Sequence, residues 1–221
     1  MRRVLVLRPE PGAAATVERA REAGLDALAV PLFEIEPLAW EAPAAAQFDG
    51  LLLTSANAVR HAGDELASLR GLQVYAVGDA TAATARDAGF DIAASGDAGV
   101  DRLLESIDPD LKLLHLCGRD RRGGERATQR IKAVPVYEAK PVESPDLSRA
   151  PGSVALIHSP RAGERFAELV RGRDSIAIAA ISPAAADAVG AGWEAVEAVE
   201  QPDDDALLAL AARLCNNLRP K

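Results

Sequence analysis

Residues 30–37 read Val-Pro-Leu-Phe-Glu-Ile-Glu-Pro, and residues 134–141 read Val-Pro-Val-Tyr-Glu-Ala-Lys-Pro. Both stretches place a proline, an aromatic residue, a glutamate and a second proline in the same order, 104 positions apart. A segment that recurs at a fixed distance indicates an internally repeated chain. The period of this repeat decides how the rest of the sequence is divided.

Two further landmarks recur at the same spacing. Ser55 and Ser159 each follow a short apolar run and are 104 positions apart. Residues 78–82, Gly-Asp-Ala-Thr-Ala, correspond at the same distance to residues 182–186, Ser-Pro-Ala-Ala-Ala. Three landmarks with one spacing predict a tandem duplication that produces two similar bodies.

Short apolar runs alternate with alanine-rich helical stretches along the chain. Because the runs are continuously apolar, they are typical of strands covered on both faces, as in parallel sheets. The alternation of strand and helix predicts a parallel α/β fold. The predicted strands are 3–7, 27–30, 50–54, 73–77, 112–116, 134–138, 153–158 and 175–181. The predicted helices include 13–23, 57–69, 80–88, 162–171 and 204–215.

Serine and proline mark the junctions between predicted strands and helices. Ser55, Ser159 and Ser182 each follow a strand, and proline comes next at positions 160 and 183. A serine at the N-cap accepts a hydrogen bond from a backbone N–H of the first turn. Proline is favoured at N1 because the N–H that it lacks would have no partner within the helix. In open α/β sheets, ligands bind at these carboxyl ends of the strands.

The segments 31–37 and 135–141 have proline at both ends. Proline is poorly placed within a central strand. We therefore interpret both segments as paired connectors rather than core strands. Two equivalent connectors predict that the chain crosses from one body to the other and then returns.

The charge balance excludes some classes of partner. The chain has 33 acidic and 25 basic residues, a net charge of −8, which argues against nucleic-acid binding through overall positive charge. Residues 4–7 are too short an apolar run for a secretory signal, and no stretch is long enough to span a membrane. We expect a cytoplasmic monomer that binds neither nucleic acid nor membrane.

Common cofactor motifs are missing from the sequence. Cys117 and Cys215 form no CxxC pair, and the three histidines lack a metal-ligand spacing, so no metal site is predicted. The glycine-rich stretch 118–124 has no P-loop lysine, and no GxGxxG opens the first helix. We expect His115 and His158 to be core histidines, and the acidic run 203–205 to cap the last helix.

Several short motifs, in this order, resemble those of the uroporphyrinogen-III synthases. Each motif is weak alone, but their order and spacing are fairly specific, and they extend from residue 4 to about residue 214. The motifs are Arg-Pro (8–9), Leu-Thr-Ser-Ala-Asn-Ala-Val (53–59), Val-Gly-Asp-Ala-Thr-Ala (77–82), Val-Tyr-Glu (136–138) and Ser-Pro-Arg-Ala (159–162).

The resemblance implies two α/β domains joined by a two-stranded connector, with the substrate in the cleft between them. One domain would comprise residues 1–34 and 142–221, and the other residues 38–137. It also implies the reaction. Hydroxymethylbilane, a linear tetrapyrrole with eight carboxylates, loses water and closes through a spiro intermediate with its last pyrrole ring inverted. The family needs no cofactor for this lyase step of haem biosynthesis.

Tyr137 is the candidate catalytic residue. In the family pattern this tyrosine faces the cleft, where its phenol could donate a proton to the leaving hydroxyl. The alternative is an aromatic side chain that only packs between domains. Phe33, at the equivalent position of the first repeat, has no proton to give, and this asymmetry favours the catalytic role.

The candidate carboxylate-binding residues lie at strand ends and helix starts. A guanidinium pairs well with a carboxylate, and helix-start amides bind anions. Each candidate also has a purely local alternative role, as a surface arginine or a helix cap. The candidates are Arg8, Ser55, Thr81, Arg119, Ser159 and Ser182.

One departure from the family pattern leaves other functions open. The second repeat usually carries Gly-Pro-x-Thr-Ala, but Ala185 stands here where the threonine is expected. A non-catalytic tetrapyrrole- or anion-binding regulator of the same fold is therefore the main alternative. A two-domain binding protein of the periplasmic type is a third, which the absence of a signal sequence disfavours.

Overall fold

The computed structural model describes residues 2–96, 99–120 and 127–217. The chain divides into two compact units: Met1–Glu34 with Pro141–Lys221, and Ile35–Lys140. We call these unit 1 and unit 2. In the described residues, no helix combines the length and apolarity that a bilayer crossing needs.

The elements alternate as the sequence predicts. The strands are β1 (Val4–Val6), β2 (Ala27–Ala29), β3 (Phe33–Pro37), β4 (Gly50–Leu53), β5 (Gln73–Val77), β6 (Ile92–Gly96), β7 (Lys112–Gly118), β8 (Arg130–Pro141), β9 (Val154–Ile157), β10 (Ala177–Ala180) and β11 (Ala195–Ala198). The α-helices are α1 (Gly12–Glu22), α2 (Ala56–His61), α3 (Asp79–Asp87), α4 (Val100–Glu105), α5 (Pro160–Leu169), α6 (Pro183–Ala188) and α7 (Asp204–Asn217).

Unit 1 is built on a five-stranded parallel sheet in the order β11-β10-β9-β1-β2. Alternate residues of its strands point to opposite faces. Val4 and Leu156 belong to the face that packs against α1 and α7, whose buried residues include Val17 and Leu207. The helices α5 and α6 pack against each other and against β9 and β10. The strands are therefore buried on both faces, which explains their continuous apolarity.

Unit 2 repeats this arrangement with a six-stranded sheet in the order β3-β8-β7-β4-β5-β6. The five strands from β8 to β6 are parallel. Leu51 and Leu114 pack with α2 and α3 on one face, and Leu52 and Leu113 pack with α4 on the other. The fold class of two similar α/β bodies with parallel sheets is thus confirmed.

One helix in each unit ends in the same way. After α1, Gly24 has φ +78° and the Leu25 N–H donates to the Ala20 carbonyl; after α3, Gly89 has φ +87° and the Phe90 N–H donates to the Ala85 carbonyl. This is the Schellman pattern, in which glycine takes the left-handed conformation and the next residue closes the last turn. The two helices are not counterparts in the repeat, so the shared ending reflects the local role of glycine.

The two proline-bounded segments, interpreted from the sequence as connectors rather than core strands, both form strands. The first contains the edge strand β3, and the second is continuous with the twelve-residue strand β8, which lies between β3 and β7. The Leu38 N–H donates to the Val136 carbonyl, and the Val142 N–H donates to the Leu32 carbonyl, so β3 runs antiparallel to β8. Proline is tolerated here because Pro135 directly precedes an irregularity in the ladder.

Among the strands and α-helices of the described residues, β3, β6, β11 and α4 were not predicted; for α6 only the start, at Ser182 and Pro183, was predicted. Residues 57–69 were predicted as one helix, but α2 ends at His61 and a 3-10 helix covers Gly63–Leu69. The break coincides with Gly63, which has φ +66° and cannot continue an α-helix in that conformation.

Candidate active site

Each sheet has one point where the strand order reverses, and four of the candidate residues follow the strands beside it, whereas Thr81 and Ser182 follow the next strands, β5 and β10. In unit 1 the strands on either side of this point are β1 and β9, and Arg8 and Ser159 follow their carboxyl ends. In unit 2 the strands are β4 and β7, followed by Ser55 and Arg119. Ligands of open α/β sheets bind at such switch points. The topology therefore supports binding roles for both clusters.

Tyr137 reaches the switch point of unit 2 through a β-bulge. Cys117 is paired with Pro135, but Gly118 is paired with Tyr137, so Val136 is an extra residue on β8. A bulge changes the direction of the side chains beside it. A β-carbon on Gly118 would lie 2.9 Å from the Tyr137 ring, so the ring rests on the glycine backbone. The bulge and Gly118 together fix the position of the phenol.

The surroundings of Tyr137 favour its protonated form. Burial raises the pKa of the Tyr137 phenol, a hydrogen bond with Ser55 lowers it in part, and the neighbouring Cys117 thiol raises it. The His61 ring lies 6.3 Å from the phenol ring, centroid to centroid. Burial, followed by the charge of Arg60, lowers the pKa of His61. A neutral phenol beside a neutral imidazole can act as a proton donor at neutral pH.

Ser55 links the start of α2 to the phenol. Its Oγ accepts a hydrogen bond of 3.2 Å from the Asn57 N–H, which is the N-cap interaction that the sequence predicts. Because one lone pair is used by the cap, the Ser55 hydroxyl hydrogen remains available for the Tyr137 oxygen. Ser55 is thus placed to orient Tyr137, in addition to its predicted substrate contact.

Thr81 lies in the first turn of α3, after strand β5 of unit 2. Gly78 precedes this helix with φ +84°, and the Thr81 N–H donates to the Gly78 carbonyl at 3.1 Å. The Thr81 residue is buried, with 5% of its surface exposed. At this depth only a group that enters the end of the sheet could reach its hydroxyl.

Arg119 is engaged with an acidic partner on β8. Its Nη1 lies 2.5 Å from Glu138 Oε2, and its N–H donates to the Tyr137 carbonyl at 2.9 Å. The side chain is 58% exposed. A substrate carboxylate would have to compete with Glu138 for this guanidinium. The other two arginines of the glycine-rich stretch 118–124, at positions 121 and 122, lie outside the described residues.

In unit 1, Arg8 joins a network around one partly buried carboxylate. Asp204, at the start of α7, has a side chain only 15% exposed. Its Oδ1 is 3.5 Å from Arg8 Nη1, and its Oδ2 accepts a hydrogen bond of 2.9 Å from Thr16 Oγ1. Arg19 also pairs with Asp204. Burial and the charge of Arg19 lower the pKa of Arg8.

His158 completes this network. Its Nε2 lies 2.9 Å from Asp204 Oδ1. Burial, followed by repulsion from Arg8, lowers the pKa of His158 to about 3. The ring is neutral at physiological pH because the two arginines already compensate Asp204, and Nε2–H donates to the carboxylate. The prediction of a core histidine is confirmed for His115, which is 2% exposed and bonded to Thr54.

The acidic run was predicted to cap the last helix, and this holds only in part. The Oδ1 atom of Asp203 accepts from the N–H groups of Asp205 and Ala206, at 2.9 Å each. Asp204 instead turns into the network of unit 1. Asp205 pairs with Arg19 at 3.0 Å and is 79% exposed.

Ser159 and Ser182 both act as helix caps in unit 1. Their hydroxyl oxygens accept hydrogen bonds of 3.2 Å from Ala162 and Ala185, respectively. Ala185 is fully buried at the position equivalent to Thr81, so this helix start offers no threonine hydroxyl. The guanidinium of Arg161 lies 4.5 Å above the ring of Phe33, the counterpart of Tyr137.

The residues that support Arg8 and Tyr137 were not predicted from the sequence. Thr16, Asp204 and His158 meet only through packing across the sequence, and no local pattern marks them. Gly118 could have been noticed, since a glycine ends an otherwise apolar strand. In residues 2–96, 99–120 and 127–217, no group of three or more His, Cys, Asp or Glu side chains could hold a metal ion.

Comparison with known proteins agrees with the sequence motifs. The model of the family described as uroporphyrinogen-III synthase HemD matches residues 14–209. Over 119 residues, 49% of this chain, the sequence is 34% identical to the uroporphyrinogen-III synthase of Chlorobaculum parvum. The aligned part spans about half of that curated relative, 48% of its length.

Solved structures share the fold over nearly the whole chain. The uroporphyrinogen-III synthetase of Helicobacter pylori 26695 superposes with a TM-score of 0.68 at 21% identity, covering 97% of this chain and 100% of that one. A mutant uroporphyrinogen III synthase of the thermophilic bacterium Thermus thermophilus gives 0.56 at 20% identity, with 97% and 99% covered. The match of the family model to most of its length shows that the chain belongs to the uroporphyrinogen-III synthase HemD family.

Proposed function

We propose that this chain is a uroporphyrinogen-III synthase, a cofactor-independent hydro-lyase of the cytoplasm. It would cyclise hydroxymethylbilane with loss of water and inversion of the last pyrrole ring. The observation that carries the proposal is the Tyr137 phenol. Its hydroxyl lies at the switch point of a sheet, with a hydrogen bond to Ser55 that partly offsets the rise in pKa caused by burial, in a chain of this family.

The first step needs a proton donor. Tyr137 O–H gives its proton to the hydroxyl of the hydroxymethyl group as the C–O bond breaks, and water leaves. The electron pair of the adjacent pyrrole nitrogen displaces the water and leaves an azafulvenium, which is a conjugated cation. The Ser55 hydroxyl stabilises the phenolate that is left. A positioned general acid typically contributes about 10²–10⁴-fold to such a step.

Ring closure then requires positioning more than further acid–base chemistry. The substituted carbon of the terminal pyrrole attacks the azafulvenium carbon and forms the spiro intermediate, which fragments and recloses with that ring inverted. The closing carbon then loses its proton to the Tyr137 phenolate, which neutralises the macrocycle and restores the phenol. Holding both ends of the chain in reach can contribute on the order of 7–11 kcal/mol at best.

The eight carboxylates of the substrate provide the binding energy. We assign Arg8, Ser159 and Ser182 of unit 1, and Ser55, Thr81 and Arg119 of unit 2, to these carboxylates. Ser159 and Ser182 already accept from backbone amides, so each donates its hydroxyl hydrogen to a carboxylate. Ser55 donates to a carboxylate only when its hydroxyl hydrogen turns from the Tyr137 oxygen to the substrate. Arg119 contributes only when a carboxylate displaces Glu138.

We also propose a domain division that follows the repeat. Residues 1–34 and 142–221 form one domain, residues 38–137 form the other, and the segments 31–37 and 135–141 connect them. The protein acts as a monomer, without nucleic acid or membrane as partner.

A coupled assay tests the function. A hydroxymethylbilane synthase supplies the bilane, and the two uroporphyrin isomers are separated by chromatography after oxidation. The proposal expects the type III isomer to dominate with this protein and the type I isomer without it. If the protein binds bilane but leaves the type I isomer dominant, it is the non-catalytic binding protein that the missing hydroxyl at Ala185 favours.

A further inference from the structure

The guanidinium of Arg8 has defined contacts on one side only. Both of its polar contacts in the described residues use Nη1: Asp204 Oδ1 at 3.5 Å and Thr16 Oγ1 at 3.4 Å. A β-carbon on Gly12 would lie 2.7 Å from Arg8 Nε and 3.1 Å from Nη2, so the group also lies against the start of α1. The side chain remains 37% exposed.

The groups around Asp204 fix it in place. Thr16 is fully buried, and its hydroxyl donates to Asp204 and accepts from Arg8. His158 donates to Oδ1 from the end of β9, and Arg19 pairs with the carboxylate from α1. Four side chains from three elements thus hold one carboxylate. Such a carboxylate is a rigid partner for an arginine.

We propose that Asp204 is a positioning residue, which holds Arg8 at the carboxyl end of β1 so that its outer N–H groups meet a substrate carboxylate. The inference rests on the proposed function. Asp204, the first residue of α7, would thus support substrate binding at the carboxyl end of β1, although it lies far from Arg8 in the sequence.

The two possible roles of Asp204 predict opposite changes in KM. A carboxylate that positions Arg8 strengthens substrate binding, whereas one that merely neutralises Arg8 weakens it. Asp204→Asn removes the negative charge at nearly constant shape. The NH2 group that takes the place of Oδ2 cannot accept a hydrogen bond from Arg19 or Thr16. Positioning therefore predicts a higher KM for hydroxymethylbilane, and simple neutralisation predicts a lower one.

The experiment compares KM and kcat of the full chain and three variants in the coupled assay. For Asp204→Asn we expect KM to rise about tenfold, because a misplaced Arg8 loses about one charge-assisted hydrogen bond to the substrate carboxylate. We expect kcat to stay within about twofold of the wild-type value. Asp205→Asn is the matched control: it removes the same charge one residue later, from a side chain that contacts Arg19 but not Arg8. Its KM should stay unchanged. Gly12→Ala displaces Arg8 without changing any charge and should also raise KM.

A double-mutant cycle separates positioning from a general loss of structure. If Asp204 acts through Arg8, Asp204→Asn should add little to the KM increase of Arg8→Gln. Additive increases, a lower KM for Asp204→Asn, or equal effects of the two aspartate variants would each overturn the inference. A wild-type protein that forms no type III isomer would instead refute the proposed function, so the two failures are distinguishable.

Discussion

A β-carbon built on Gly118 would lie 2.9 Å from both Cε2 and Cζ of Tyr137, so the phenol proposed as the acid rests on the one residue type without a side chain. Real β-carbons do not approach ring atoms so closely, and the ring would have to move. The position of the phenol therefore depends on a neighbour that takes no part in the chemistry.

Gly118→Ala should consequently lower type III formation by about ten- to a hundredfold, because displacement of a catalytic group by about 1 Å has costs of that size. Circular dichroism should show an intact fold. Gly71→Ala is the control, since no atom lies within 4 Å of the β-carbon that it adds. Equal activities of the two variants would show that the phenol need not be held against the strand.

Tyr137→Phe removes one oxygen and should keep the fold and the binding of bilane. The rate of type III formation should fall about 10²–10⁴-fold, the usual contribution of a general acid, and the spontaneous type I isomer should take over. Tyr75→Phe, which alters the other tyrosine of the chain, is the control and should be fully active. Phe33→Tyr should also matter much less than Tyr137→Phe. A normal rate and isomer ratio for Tyr137→Phe would exclude proton donation by Tyr137, and positioning of the bilane would then have to account for catalysis.

Ser55→Ala should have two separable effects. Loss of the cap should lower the free energy of unfolding by about 1 kcal/mol. Loss of the hydrogen bond that lowers the pKa of Tyr137 should raise that pKa, so phenolate forms only at higher pH. Ultraviolet absorbance of phenolate, measured in the Tyr75→Phe background, reports this directly. Ser159→Ala, at the equivalent cap of unit 1, should reproduce the loss of stability but leave the titration unchanged.

His158 makes stability depend on pH. Its folded pKa of about 3 lies below the unfolded value of 6.5, so the unfolded state binds more protons between these values. The free energy of unfolding should therefore fall as the pH drops below 6.5, by about 2 kcal/mol at pH 5 from this group. Urea unfolding of His158→Gln, which keeps a donor for Asp204, should show a weaker loss. If the free energy of unfolding depended on pH in the same way for both proteins, the folded state would take up the His158 proton as readily as the unfolded state does.

The fold was predictable because its signal is local and repeated. Continuously apolar runs identified eight of the eleven strands in the described part of the chain, and the spacing of 104 pairs Ser55 with Ser159 from the sequence alone. The strands β6 and β11 were missed because small and charged residues interrupt their apolarity. The edge strand β3 was missed because its prolines argued against a strand.

The candidate site was predictable only where it belongs to the repeat. Ser55, Thr81 and Tyr137 follow the motif spacing, and their strand-end positions come from chain topology. Asp204 could not be assigned to Arg8, because its contacts reach 188 residues back to Thr16 and 46 residues back to His158. Gly118 acquires its importance from a register shift between strands, which depends on pairing and not on composition.

The substitutions between equivalent positions break what could have been a symmetric molecule. Two identical repeats would present a linear substrate with two interchangeable ends, and a chain with one hydroxymethyl terminus could bind in either direction. Here one repeat has Tyr137 and Thr81 where the other has Phe33 and Ala185. In the proposed reaction only one orientation of the bilane would bring its leaving group to the phenol, so the divergence of the two copies would distinguish the two ends of the bilane.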